Sequence, residues 1–325
     1  MIKLKDINNI YSNDEIFNIT DENYDKIGIF NQNINEKYIN SQNYFCNNQN
    51  IFYNKIFEDR IKLIDIIFND KKFNMFVYSN SDIVSNYIIK DKAWEVIETQ
   101  NLLKALNYYS NKKNINKKDI YIIDIGANIG WYSFILGKYG YNIISFEPSK
   151  INNYILKKNY CLNKEINITI INKGLFNEEK KCYLYNDINN EGNGFIECDL
   201  NHNLSTSFKK TGEIVLTKLS NYLPFFNNKN LILIKMDIEG AERNAIDGGI
   251  EFITKYHVPF IFFEFSPTYL KRLNKEPKEF LQLFVDNGYK ISVLDFFSNH
   301  TSVDNIMKKN IFQINLYLVY SKILE

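Results

Sequence analysis

The stretch that most constrains the fold is "YIIDIGANIG", residues 121–130, an apolar run that opens into a glycine turn. Residues 120–125 have the length and composition of a strand covered on both faces. Gly126 and Gly130 carry no Cβ, so the chain leaving that strand can turn tightly and pass close to a ligand. A helix is expected directly afterwards, over 131–139. Strand, glycine turn and helix form the opening unit of a doubly wound α/β sheet, where ligands bind beyond the carboxyl ends of the strands.

The pattern downstream extends that sheet. Strands are expected at 143–147, 166–171, 231–237 and 260–265, with helices at 151–162 and 241–255. The uninterrupted runs "LILIKM" and "PFIFFEF" suit parallel strands buried on both sides. A helix at 278–287, a strand at 289–294 and a last strand in "FQINLYLVYS" predict a closing antiparallel pair. Upstream, strands are expected at 73–78 and near 87–89, then a helix carrying Val96, Ile97, Leu102, Leu103 and Leu106 at helical spacing, with Asp91 as its cap. Residues 1–70 read as an Asn-rich, aromatic-containing extension that packs on something, because a disordered tail carries fewer aromatics. Residues 71–325 read as the main domain, with 71–110 as an entry segment. "NDINNEGNGFIECD" is expected to form a loop and hairpin over the acceptor site.

Bulk properties narrow the function. A formal charge of +1 across 325 residues argues against a protein built to grip nucleic acid through phosphates, although a basic groove beside the site would favour one. Cys46, Cys161, Cys182 and Cys198 show no C-x-x-C spacing and are expected to be reduced thiols in a cytoplasmic protein. His202, His257 and His300 show no metal-ligand spacing, and nothing demands a divalent metal. No apolar run is long enough to span a membrane. The pattern sets no oligomeric state.

The site residues follow from the sheet. Asp124–Gly130, Glu147, Asp237–Glu242 and Glu264 all stand at carboxyl ends of expected strands. The turn lacks the dinucleotide fingerprint G-x-G-x-x-G, because Asn128 occupies its middle position. Glu147 ends the second strand, where an acid can accept from both ribose hydroxyls of either NAD or S-adenosylmethionine. The segment "IKMDIEGAE" separates the two: Lys235, Asp237, Glu239 and Glu242 concentrate carboxylate there, which suits a sulfonium and an ammonium better than a pyrophosphate. Glu242 has a competing role, favouring the first turn of its helix.

Together "IDIGANIGWYSF", "FEPS", "IKMDIEGAE", "IFFEFSP" and the upstream "AWE" resemble the FkbM-type methyltransferases, which are S-adenosylmethionine-dependent O-methyltransferases. The likeness runs over about residues 73–265. It implies a Rossmann-like class I methyltransferase fold, a seven-stranded, mostly parallel sheet with an antiparallel C-terminal strand. It also implies cofactor contacts from Asp124, Gly126, Ala127, Asn128, Gly130, Glu147, Pro148 and Asp237, with Glu95 beside Trp94 as a further contact. "NKGLFN" departs from the family's usual turn after the third strand.

For the chemistry, a hydroxyl acceptor on a sugar, glycan or other small molecule needs alignment with the methyl donor and a positioned base. Asp237, Glu239 and Glu264 are the carboxylate candidates, with Lys235 expected to pair with Glu264. Trp94 either stacks on a sugar ring or packs in the core. His257 precedes its strand and belongs at the wrong end of the sheet. Competing functions are an RNA ribose 2′-O-methyltransferase, a non-catalytic module of the same fold, and an NAD oxidoreductase.

Overall fold

The computed structural model describes residues 34–49, 58–80, 82–188, 190–198, 207–309 and 311–325. The described residues begin with a helix, Ile34–Asn47, and a hairpin of β1 (Ile61–Phe68) and β2 (Lys71–Tyr78) paired along its full length. Helices Ile83–Asp91 and Val96–Lys113 lead into the central sheet. That sheet's parallel strands are β3 (Ile120–Ile125), β4 (Asn142–Phe146), β5 (Ile168–Ile171), β10 (Asn230–Met236) and β11 (Phe260–Phe265). Between β5 and β10 lies a second sheet of β6 (Gly174–Leu175), β7 (Lys180–Asp187), β8 (Asn190–Glu197) and β9 (Phe208–Thr217). The chain closes with β12 (Tyr289–Ser292), the two-residue β13 (His300–Thr301) and β14 (Ile314–Tyr320).

The central order is β13-β12-β14-β11-β10-β3-β4-β5. After β3 the chain builds outward through β4 and β5, then returns to place β10 on the other flank of β3. The crevice between the carboxyl ends of β3 and β10 is therefore the topological switch point, where such sheets bind ligands. Apolar clusters cover both faces, one around Ile122, Phe134 and Phe262 and the other around Ile123, Ile234 and Phe263. Successive residues of each strand thus feed opposite cores, which is why the runs are continuously apolar. β14 inserts antiparallel between β11 and β12. Among the described residues, eight strands stand in this sheet where seven were expected, the extra one being β13.

Several expectations need correction. Residues 87–89 belong to the helix Ile83–Asp91, capped by Asp82, whose side chain accepts from the Ser85 N–H at 2.7 Å. Asp91 closes that helix, and the next one starts after Glu95, which adopts a left-handed φ of 41°. The helix expected over 241–255 is two short ones, Glu242–Asp247 and Glu251–Thr254. They part at Gly248 and Gly249; a Cβ on Gly248 would lie 2.0 Å from the Phe176 carbonyl oxygen. The closing strands are not a tight hairpin, since β13 and the helix Val303–Met307 lie between them.

The boundary expected at residue 70 falls inside the β1–β2 hairpin. The helix Ile34–Asn47 also belongs to the main body. Its Gln42 donates to the Ile168 carbonyl at 3.0 Å and accepts from the Ile170 N–H at 2.8 Å, so one amide completes the edge of β5. Residues 1–33 lie outside the described residues. The cysteines are not free: Cys46 bonds Cys161, and Cys182 bonds Cys198. Spacing along the chain conceals these pairs, the first closing a separation of 115 residues. The argument from reduced thiols to a cytoplasmic location lapses with them. No helix among the described residues is long and apolar enough to cross a membrane.

Candidate active site

Close approach of two strand ends creates the site. Gly126 has φ +74°, and a Cβ there would sit 1.9 Å from the Asp237 carbonyl oxygen. Glycine at 126 thus lets the β3 and β10 turns touch. The Asp237 N–H in turn donates to the Ile125 carbonyl. Gly130, at φ +100°, starts the helix Trp131–Lys138 with Leu156 and Phe134 packed where a Cβ would point.

A cavity of about 320 Å³ opens over this junction. Asp82, Glu95, Glu147, Asp237, Glu239 and Glu264 line it, and no Lys, Arg or His does so among the described residues. Gly126, Asn128, Pro148 and Trp94 line it too. Asp124, Ala127, Gly130 and Lys235, also expected at the site, do not.

Glu147 is anchored from behind. Its Oε2 accepts from the Asn128 N–H and its Oε1 from the Ser149 N–H, each at 2.8 Å. A carboxylate has about four lone-pair sites, so both oxygens keep capacity for hydroxyl donors from the cavity. Burial pushes Glu147 up to about 7 against the pull of those N–H groups.

Lys235 organises the floor. In register with Asp124 of β3, it lies 3.4 Å from that carboxylate and 3.8 Å from Asp237, and donates to the Gly126 carbonyl at 3.1 Å. Burial works to lower its pKa, but Asp124, Asp237 and Glu95 outweigh it and hold it above its ordinary value. The expected Lys235–Glu264 pair is absent from these contacts, because Lys235 stands opposite Phe262, two residues short of Glu264. Asp124 is buried and accepts from Ser133 Oγ at 2.6 Å. It is a brace beneath the turn rather than a wall of the cavity. Glu242 is likewise structural: its carboxylate accepts from the Ile238 N–H at 3.1 Å and the Gly240 N–H at 3.4 Å.

The remaining acids converge. One carboxylate oxygen from each of Asp237, Glu239 and Glu264 lies within 4.8 Å of the others, a spacing that suits a small cation. Burial, then Asp237 and Glu239, push Glu264 up to about 9. Glu95 is raised by burial and then by Asp237, and it accepts from the Tyr132 hydroxyl at 2.5 Å. Trp94 meets Tyr87 edge-on, centroids 5.3 Å apart, at the cavity wall. His257 stacks on Tyr320 at 4.4 Å, at the opposite end of the sheet as expected.

The hairpin of β7 and β8, whose second strand lies in "NDINNEGNGFIECD", roofs the cavity through Leu184, Asn190, Gly192, Gly194 and Ile196. Four residues escaped the sequence reasoning. Asp82 carried a detectable signal, an acid at a helix N-cap. Asn152 stands in the first turn of the helix Lys150–Leu162, and its amide donates to the Gly192 carbonyl at 3.1 Å. Ser149, like Asp82, stands at a helix N-cap; Gln313 had no local signal and reaches Glu264 only because β14 runs antiparallel beside β11.

A family profile described as "Methyltransferase FkbM domain" matches residues 124–291, from the buried brace of β3 to β12. It spans just over half of the chain. The chain belongs to this methyltransferase family. No curated protein matches this FkbM-domain chain. Among solved structures, the bifunctional kinase-methyltransferase WbdD is 9% identical with a TM-score of 0.42, over 74% of this chain and 44% of its own. A magnesium protoporphyrin IX methyltransferase from Synechocystis PCC 6803 with bound SAM is 12% identical, with a TM-score of 0.36, over 73% and 85%. A Pyrococcus abyssi tRNA (uracil-54, C5)-methyltransferase with S-adenosyl-L-homocysteine is 12% identical, TM-score 0.35, over 79% and 44%. The FkbM-domain chain thus spans less than half the length of WbdD.

Proposed function

We propose that this FkbM-domain chain is an S-adenosylmethionine-dependent O-methyltransferase acting on a hydroxyl of a sugar, glycan or other small molecule. The observation that carries the reading is that the charged residues lining the cavity are all acids, among them Glu147 with hydroxyl-accepting capacity on both oxygens. Such a donor set fits a ribose together with a sulfonium and an ammonium, and it repels the pyrophosphate of NAD. When bound, S-adenosylmethionine supplies an electrophilic methyl group on a positive sulfur.

Glu147 then holds the ribose hydroxyls, and the Gly126–Asn128 backbone lets the ligand approach. Asp237 faces the cation, while Lys235 beneath it keeps the floor from accumulating uncompensated charge. Glu264, with Glu239 beside it, takes the proton from the acceptor hydroxyl; its Oε–H bond forms as the hydroxyl O–H bond breaks. Trp94 offers a ring face or edge to the acceptor at the wall. The Asp237, Glu239 and Glu264 triangle would also accommodate a divalent ion, which no step here requires.

Calorimetric titration with S-adenosylmethionine, S-adenosylhomocysteine and NADH tests the reading. Both adenosyl ligands should bind and NADH should not. Glu147→Ala should weaken binding by about 3–6 kcal/mol, the worth of two hydroxyl hydrogen bonds to a charged group. Tight NADH binding, or unchanged affinity in the variant, would reject the assignment. An RNA ribose 2′-O-methyltransferase is the second reading. A group of basic residues beside the cavity favours it, and methyl transfer to ribose in RNA oligonucleotides is its test.

A further inference from the structure

A second cavity of about 490 Å³ shares Ser149 and Leu184 with the first but carries the opposite charge. Arg60, Lys150 and Lys209 contribute cations to its wall, and Lys210, also in the wall, sets its ammonium on the Tyr183 ring, 3.1 Å from the centroid. Asp187 and Glu213 contribute two carboxylates, and Glu213 is already paired with Lys181 at 3.0 Å. The excess is therefore positive, in a chain whose total formal charge is only +1. Six carboxylates line one side of the Ser149–Leu184 partition, and the cation-rich cavity lies on the other.

Backbone polarity adds to the side chains. Lys150 is the first residue of a 13-residue helix, Lys150–Leu162, whose N-terminal N–H groups favour an anion. Ile151, Leu184 and Ile214 form an apolar part of the wall. At about 490 Å³ the space falls in the usual range for sites of organic ligands, well beyond a bare phosphate. A nucleic-acid track would string cations along a groove to meet successive phosphates. Here they ring one compact space.

We propose that this cavity binds the phosphate or pyrophosphate end of a small organic ligand, such as a phosphorylated sugar. The anion lies among Arg60, Lys150 and Lys209, and the organic part lies on Ile151 and Ile214. The assignment stands independently of the methyl-donor site, since the acid-lined cavity would repel the same anion. Where that ligand is the methyl acceptor, the two charged cavities orient it.

The test uses the full chain and measures binding of inorganic pyrophosphate and of glucose 1-phosphate by calorimetry at low and moderate salt. The wild type should bind both, more weakly as salt rises. Lys150→Glu with Lys209→Glu should lower affinity at least tenfold, while S-adenosylmethionine affinity, followed in parallel, stays unchanged. An acid at the first helical position is favourable, so Lys150→Glu is not expected to harm folding. Gly212→Phe provides a variant that leaves every charge in place. A Cβ at Gly212 meets nothing within 4 Å, and its ring would fill the cavity and block glucose 1-phosphate. No binding by the wild type, binding indifferent to all three substitutions, or tight binding of an RNA oligonucleotide with none of pyrophosphate would overturn the proposal. Failure of S-adenosylmethionine to bind would instead count against the methyl-donor site alone.

Discussion

Glu264 makes the cofactor proposal measurable through protons. Without ligand its carboxyl is pushed up to about 9 by burial and by the neighbouring Asp237 and Glu239. At about pH 7.5 such a group is roughly 97% protonated. A unit positive charge about 5 Å away, at an effective dielectric of about 20, favours the carboxylate by about 3.3 kcal/mol, or about 2.4 pKa units. That brings Glu264 to about 6.6, and roughly 0.9 proton must leave when the sulfonium arrives. S-adenosylhomocysteine has a neutral sulfur and should release much less. Titrating both ligands in phosphate and in Tris, whose ionisation enthalpies differ widely, reads the proton count from the buffer dependence of the heat. Glu264→Gln should abolish most of the difference between the two ligands, which separates Glu264 from Glu147 and Glu95. Equal release with both ligands, no release at all, or an undiminished difference in the variant would refute the reasoning.

Lys235→Met should destabilise the fold by about 3–5 kcal/mol in urea denaturation, because it strands the buried Asp124 carboxylate; adding Asp124→Asn should recover part of that loss, and no recovery would count against the brace. Gly126→Ala should cost at least about 2 kcal/mol and remove cofactor binding together, since its Cβ meets the Asp237 carbonyl in a left-handed turn; a stable variant with normal affinity would contradict the close approach of β3 and β10. The pH dependence of stability has a definite sign. Glu147 and Glu242 at about 7 and Glu264 at about 9 are raised above their unfolded value of 4.5, so the ligand-free fold binds their protons more tightly than the unfolded chain does. Their contribution is complete below about 4.5 and is lost as pH rises through about 7 to about 9, so the melting temperature of the ligand-free protein should fall between pH 5 and 9. A melting temperature that rises over that interval would exclude it.

The sheet and the position of its crevice were legible in the sequence because they depend on local chemistry. Strands such as Ile120–Ile125 and Phe260–Phe265 must be continuously apolar when both faces are covered, and that pattern survives in one dimension. Glycine at 126 and acids at the ends of β3, β4, β10 and β11 are likewise local requirements of turns and strand ends. Roles within the site were not legible, because they depend on which neighbour a side chain meets. Register places Lys235 opposite Asp124 and Phe262, which makes Asp124 a brace and leaves Glu264 beside Asp237 and Glu239. The same holds for the cysteines, for Gln42 at the edge of β5 and for Gln313 near Glu264, all partners brought together across long separations. Charge was the most deeply hidden property. A composition that sums to +1 conceals an acid-lined cavity beside a cation-rich one, because only packing decides which charges face each other and which face a ligand.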